Sequence, residues 1–115
     1  MTLNVLCVDD EPETLSTHKI YFQMCLTPNV DTAKDISSAL QKIRETKYDL
    51  IILDGLEEQC FRLFDDIKEI PHGDVMILSG DSTVESMAKE KGIPFYSKKD
   101  RNALEKIVEK YKKTE

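Results

Sequence analysis

Between Asp49 and Asp54 lie four consecutive large aliphatic residues, Leu50-Ile51-Ile52-Leu53. Successive side chains of a strand point to opposite faces, so a run with no polar position is apolar on both. Such a run is buried only when both faces are covered, as in the central strand of a parallel sheet with helices on each side. Val75-Met76-Ile77-Leu78 repeats the pattern, and Leu3-Asn4-Val5-Leu6-Cys7-Val8 comes close to it. Weaker runs from Asn29 to Ala33 and from Ile93 to Ser97 bring the strands to five.

Helical spacing fills the gaps. Pro12 opens a helix with Leu15, His18, Phe22 and Cys25 on one face, because proline's missing N–H does no harm in a first turn. Asp35 caps a second helix, with Ile36, Ala39, Leu40 and Ile43 inward. Phe61, Phe64 and Ile67 mark a third. Ser82-Thr83-Val84-Glu85 reads as a capping box for a fourth, which Gly92 ends. Asp100 caps a fifth, with Leu104, Ile107, Val108 and Tyr111 inward. Five strands alternating with five helices predict an α/β, flavodoxin-like, doubly wound (βα)5 sandwich. Right-handed crossovers favour a parallel sheet of order 2-1-3-4-5.

At 115 residues the chain is expected to form one domain, residues 1–115, with no output domain. Its 16 basic and 22 acidic residues leave a formal charge of −6. That argues against direct binding of nucleic acid or an anionic membrane. No apolar run approaches the roughly 20 residues of a membrane span, and the first residues lack the pattern of a signal peptide. Cys7, Cys25 and Cys60 are odd in number and far apart. They are expected to be reduced thiols in a cytoplasmic protein, neither a disulfide framework nor a zinc site.

In such sheets ligands sit beyond the carboxyl ends of the strands. Here the first strand ends in Asp9-Asp10-Glu11, the third in Asp54-Gly55, the fourth in Ser79-Gly80 and the fifth in Lys98-Lys99. Three carboxylates around one crevice repel one another. A hard divalent cation such as Mg2+ relieves that repulsion through oxygen ligands. A carboxylate so placed can also act as a nucleophile toward phosphorus, with a lysine and a hydroxyl to neutralise and orient the phosphoryl group. The glycines, Gly55 and Gly80, would keep the approach open. Each fragment alone has a plain reading: acids at a helix N-terminus, Asp-Gly and Ser-Gly turns, solvated lysines. Their joint occurrence in this order is the specific signal.

With those residues in place, the sequence resembles the receiver domain of bacterial two-component response regulators, from Leu3 to Tyr111. The matching segments are Val8-Asp9-Asp10-Glu11, Asp49 to Asp54, Ile77-Leu78-Ser79-Gly80 and Phe95-Tyr96-Ser97-Lys98. The resemblance implies that Asp54 accepts a phosphoryl group from a histidine kinase or phosphotransfer protein. It implies that Asp10 and Asp54 bind Mg2+ (or Mn2+) directly, with the backbone carbonyl of Leu56, and that Asp9 holds the ion mainly through water. Ser79 would contact the phosphoryl group, Lys98 would pair with it, and Phe95 would be the aromatic switch. A downstream protein, or a second copy, would dock on the fourth helix, fifth strand and fifth helix.

The sequence departs from the family pattern in three places. The usual Lys-Pro after the fifth strand is Lys98-Lys99. A cis bond before a non-proline residue costs about 2.5–4 kcal/mol, so a trans bond is expected there. Either lysine could then serve, and Lys98 is preferred because it puts Phe95 at the switch position and leaves Asp100 as a cap. The segment Gly55-Leu56-Glu57-Glu58-Gln59 lacks the usual Met-Pro. Ser79 follows Asp54 by only 25 positions, which shortens the third helix and its loops.

Two alternatives stand beside the phosphorylatable switch. One is a receiver-like interaction module that is not phosphorylated. The other is a small Mg-dependent phosphatase, which would need an acid two positions after Asp54, where Leu56 stands. A flavin site fits poorly with acids at the first strand end. The expectation is therefore no enzyme beyond self-catalysed phosphoryl transfer and dephosphorylation. His18 and His72 are expected to be packed or solvated, and the tail lysines to make i,i+4 pairs.

Overall fold

A computed structural model describes residues 3–54, 59–100 and 102–112. Its elements run β1 (Val5–Val8), α1 (Pro12–Cys25), β2 (Val30–Ala33), α2 (Ile36–Glu45), β3 (Leu50–Asp54), α3 (Gln59–Asp66), β4 (Asp74–Ser79), α4 (Ser82–Lys91), β5 (Phe95–Ser97) and α5 (Ala103–Lys112). All strand pairs are parallel, in the order β2-β1-β3-β4-β5. That is the predicted topology, and the two-sided run of β3 does lie at the centre.

Strand alternation divides the interior into two cores. Leu6, Val8, Ile51, Leu53 and Ile77 pack against Ala39 and Ile43 of α2, Leu63 of α3 and Val84 and Ala88 of α4. Val5, Cys7, Leu50, Ile52, Met76 and Leu78 pack against Leu15 and Phe22 of α1 and Ile107 and Val108 of α5. Each fully buried aliphatic side chain contributes about 1.5–3 kcal/mol, so both faces of β3 are strongly fixed.

The caps follow sequence with one correction. Asp35 Oδ1 accepts from the Ser38 N–H at 2.7 Å, as expected. At α4 the expected capping box gives way to Asp81, whose Oδ1 accepts from the Thr83 N–H at 2.8 Å. A carboxylate there satisfies the same orphan donors and also meets the positive end of the helix dipole. Gly92 closes α4 at φ 71°, a left-handed position that suits glycine. Asp100 Oδ1 accepts from the Asn102 N–H at 2.9 Å ahead of α5. Its other oxygen takes Lys106 Nζ at 2.5 Å, so this lysine turns to the cap instead of an i,i+4 glutamate. The stripe of α3 is also shifted: Cys60, Phe61 and Leu63 are buried, whereas Phe64 is half-buried. His72 is half-buried, with Nδ1 at 2.6 Å from the Gly73 carbonyl oxygen.

Where β4 enters beside β3, the Gly73 N–H donates to the Tyr48 carbonyl at 2.7 Å. A Cβ on Gly73 would stand 2.3 Å from the Asp49 carbonyl oxygen, so only glycine fits. Among the described residues no helix is long and apolar enough to cross a membrane. The three cysteines are thiols, with no disulfide between them.

Candidate phosphoryl-acceptor site

The same alternation sorts the candidate residues. Asp54 shares the strand face of Leu50 and Ile52, and Asp9 continues that of Val5 and Cys7, so both face the α1/α5 layer. One step past β5, Lys98 follows the face of Tyr96 and reaches the same place. Ser79 and Phe95 fall on the other face, toward α4, where Phe95 packs against the first core. Adjacent strand ends thus present the candidates on two sides of the sheet, Asp9, Asp54 and Lys98 toward α1 and α5, and Ser79 and Phe95 toward α4.

Asp54 is the hub. Its side chain is 1% exposed, and Nζ of Lys98, a side chain 39% exposed, pairs with its Oδ1. On the opposite oxygen, Oδ2, stands His18 Nδ1 at 3.6 Å. Burial raises the Asp54 pKa and outweighs the attraction of Lys98, while the Asp10 charge adds to the rise. Asp9 is also buried, and its Oδ1 accepts from the Glu11 N–H at 3.0 Å. Desolvation, with Asp54 and Asp10 beside it, pushes its pKa up to about 7. Burial works to lower the Lys98 pKa, but its bond and attraction to Asp54 raise it overall. Burial lowers that of His18, with Lys98 repulsion adding to the effect and Asp9 opposing it. Burial and Lys98 thus both favour the uncharged imidazole. Cys7, beneath the two acids, is pushed up to about 12 by burial and their charge.

Asp9 Oδ2 and both Asp54 oxygens are buried with no conventional hydrogen bond, Lys98 apart. Buried acceptors left in that state are costly. A cation satisfies them, and Mg2+ commonly takes only one or two carboxylates, completing its shell with water and phosphate oxygens. Asp9 and Asp54, with Asp10 exposed at the rim, fit such an ion. Among the described residues no group of three or more aspartate, glutamate, histidine or cysteine side chains is placed to hold a metal ion. The carbonyl expected from Leu56 lies outside the described residues.

The structure brings Asp9, Asp54 and Lys98 together and leaves Ser79 and Phe95 one layer away. The Ser79 Oγ accepts from the Asp81 N–H at 3.1 Å, and the Ser79 carbonyl takes the Lys98 N–H at 3.1 Å. Ser79, Phe95 and Lys99 line a cavity of about 50 Å³ toward α4. Of the two lysines it is Lys98 that meets Asp54, whereas Lys99 is exposed and lines that cavity. No cis peptide occurs among the described residues, so this pairing forms across a trans Lys98-Lys99 bond. Gly80 is not sterically demanded, since a Cβ there would meet Lys98 Cβ at an ordinary 3.8 Å.

Sequence reasoning passed over His18. The signal was present: it is the one ionisable side chain on the Leu15-His18-Phe22 stripe, which is otherwise apolar. The residue is 8% exposed and also lines a cavity of about 320 Å³ with Thr14, Leu78, Lys98 and Leu104.

The family model of the response regulator receiver domain matches residues 5–109. A response regulator receiver domain protein (CheY-like) from Methanospirillum hungatei superposes with a TM-score of 0.80 at 18% identity, covering 99% of this chain and 94% of that one. The receiver domain (CheY-like) from Methylobacillus flagellatus gives 0.80 at 20% identity, over 96% and 98%. The chemotaxis response regulator CheY4 of Vibrio cholerae gives 0.75 at 20%, again over 96% and 98%. At these identities the likeness is one of fold. Curated protein sequences give no significant match.

Proposed function

The chain belongs to the response regulator receiver domain family, a signalling domain of two-component systems, and on that premise we propose that Asp54 is its phospho-acceptor. The donor is a phosphohistidine on a histidine kinase or phosphotransfer protein. One observation carries the assignment: Asp54 is a buried carboxylate at the end of the central strand, with Lys98 on one oxygen and Asp9 crowding it. An Asp54 oxygen attacks phosphorus while the P–N bond to the donor imidazole breaks, its electron pair returning to nitrogen. Lys98 neutralises charge arriving on the phosphoryl oxygens.

Asp9, Asp10 and Asp54, with the Leu56 carbonyl, hold Mg2+, or Mn2+ in its place. The buried oxygens of Asp9 and Asp54 that lack hydrogen bonds support that assignment. The bound ion supplies further charge neutralisation for the phosphoryl group. Ser79 then leaves its bond to the Asp81 N–H for the phosphoryl group, and Phe95 fills the small cavity behind it. That repacking changes the face of α4, β5 and α5, on which a protein target or a second copy docks. Transfer to Asp54 and hydrolysis from it are the only chemistry in this reading, and the three thiols suit a cytoplasmic setting.

Beryllofluoride, which mimics an acyl phosphate, tests the reading by NMR. With Mg2+ it should shift amide resonances around Ser79 and Phe95 in the wild type and leave Asp54→Ala unchanged. Identical spectra with and without the mimic would overturn it.

A further inference from the structure

We infer that His18 is a positioning residue for the acceptor, donating from Nδ1 to Asp54 Oδ2 and thereby shortening the life of the phosphorylated state. The inference rests on Asp54 being the acceptor and adds a regulator of its turnover. The residue is 8% exposed and its side chain 10%, and its Nδ1 atom is itself buried with no hydrogen-bond partner. It faces Asp54 Oδ2 at 3.6 Å, while Lys98 holds Oδ1. That gap is longer than a hydrogen bond, but such contacts commonly tighten once the reacting group is in place.

The two oxygens are therefore addressed from opposite sides. Phosphoryl transfer on the Lys98 side leaves Oδ2 as the carbonyl oxygen of the acyl phosphate, facing the imidazole. In hydrolysis, water adds to phosphorus and the P–Oδ1 bond breaks with its electron pair going to Oδ1. One water proton stays on the phosphate and the other passes to solvent. The negative charge released is shared between both carboxylate oxygens, so a donor on Oδ2 stabilises the leaving group as it forms. The same donor makes the free carboxylate a weaker nucleophile. His18 thus biases the site toward the unphosphorylated state in both directions, without touching the phosphoryl group.

The test compares His18→Leu, which removes the donor and suits the surrounding core, with His18→Asn, whose Nδ2 amide lies close to where Nδ1 stands. Each is phosphorylated with acetyl phosphate and Mg2+, and decay is followed by intact mass after the donor is removed. His18→Leu should lengthen the half-life roughly three- to tenfold, the range of one neutral hydrogen bond, and raise steady-state occupancy. His18→Asn should stay near wild type. A His18→Leu variant with unchanged or shorter half-life, or with lowered occupancy as expected of a merely damaged site, overturns the inference. Ring nitrogen NMR gives a second readout that needs no variant to fold. A proton on Nδ1 that shifts with beryllofluoride supports the donor role, and an unprotonated Nδ1 refutes it. If the wild type itself takes no phosphate, the acceptor assignment has failed, and the inference falls with it.

Discussion

Lys98 and Asp54 meet amine to carboxylate although one side chain is 39% exposed and the other 1%. The pairing joins the end of β5 to the end of β3 across β4, and it forms without the proline that usually follows the lysine in this family. A half-exposed cation on a buried anion can stay with it or swing toward an arriving phosphoryl oxygen at little cost in hydration.

Loss of that amine should be felt in chemistry more than in folding. Lys98→Met is expected to slow phosphorylation of Asp54 by acetyl phosphate by about 10²-fold, the usual effect of removing one preorganised charge-stabilising donor. Lys99→Ala, at an exposed residue, should stay within about twofold. Initial rates from intact mass decide between the two lysines. Equal losses in both variants would contradict the pairing.

The acids of the site should make the metal-free protein more stable in mild acid. Asp9 is raised from 3.8 to about 7, and Asp54 is raised as well. Folded protein therefore binds more protons than unfolded protein across that interval, and their contribution to stability falls as pH rises through the folded pKa. His18 works in the opposite sense, its pKa being lowered from 6.5, but its effect begins only near and below that value. From about pH 8 down to about pH 6.5 the carboxylates dominate, so the melting temperature in EDTA should rise. One pKa unit corresponds to about 1.4 kcal/mol, and Asp9→Asn should gain about 1–3 kcal/mol at neutral pH. Mg2+ should raise the melting temperature of the wild type and do much less for Asp9→Asn. A melting curve that is flat over this range in the wild type would show that the acids are not under strain.

The glycine that matters for folding is outside the site. Gly73→Ala would drive a Cβ into the Asp49 carbonyl at 2.3 Å, and backbone on both sides must yield. A loss of about 1–3 kcal/mol is expected, as for other overpacked positions. Gly80→Ala, with room for its methyl, should cost far less. Urea denaturation of both variants tests the contrast. Equal stability would mean that the β3–β4 entrance is looser than this geometry.

Much of the fold was legible because its signals are local and repeated. Leu50 to Leu53 could be buried only at the centre of a covered sheet, and strand-end acids, serine and lysine followed in topological order. The boundaries were less legible. Leu3, Asn4, Asn29, Asp49, Ile93 and Pro94 fall at the ends of the expected runs but lie just outside the strands, although the Asn4, Asn29, Asp49 and Pro94 carbonyls still accept from neighbouring strands. At α4, Asp81 outcompeted Ser82 for a cap by one residue, a choice set by charge and backbone geometry. His18 was hidden for a different reason. Its helical position showed that it faces inward, but that it reaches Asp54 depends on where α1 crosses β3, and crossing angles are not written in a single sequence.

The central claim is that Asp54 carries a phosphoryl group. Incubation with acetyl phosphate and Mg2+, followed by intact mass measurement, tests it most directly. One added phosphoryl group in the wild type, absent from Asp54→Ala and from a sample held in EDTA, is the predicted result. An unmodified wild-type mass, or an adduct that persists in Asp54→Ala, would contradict it.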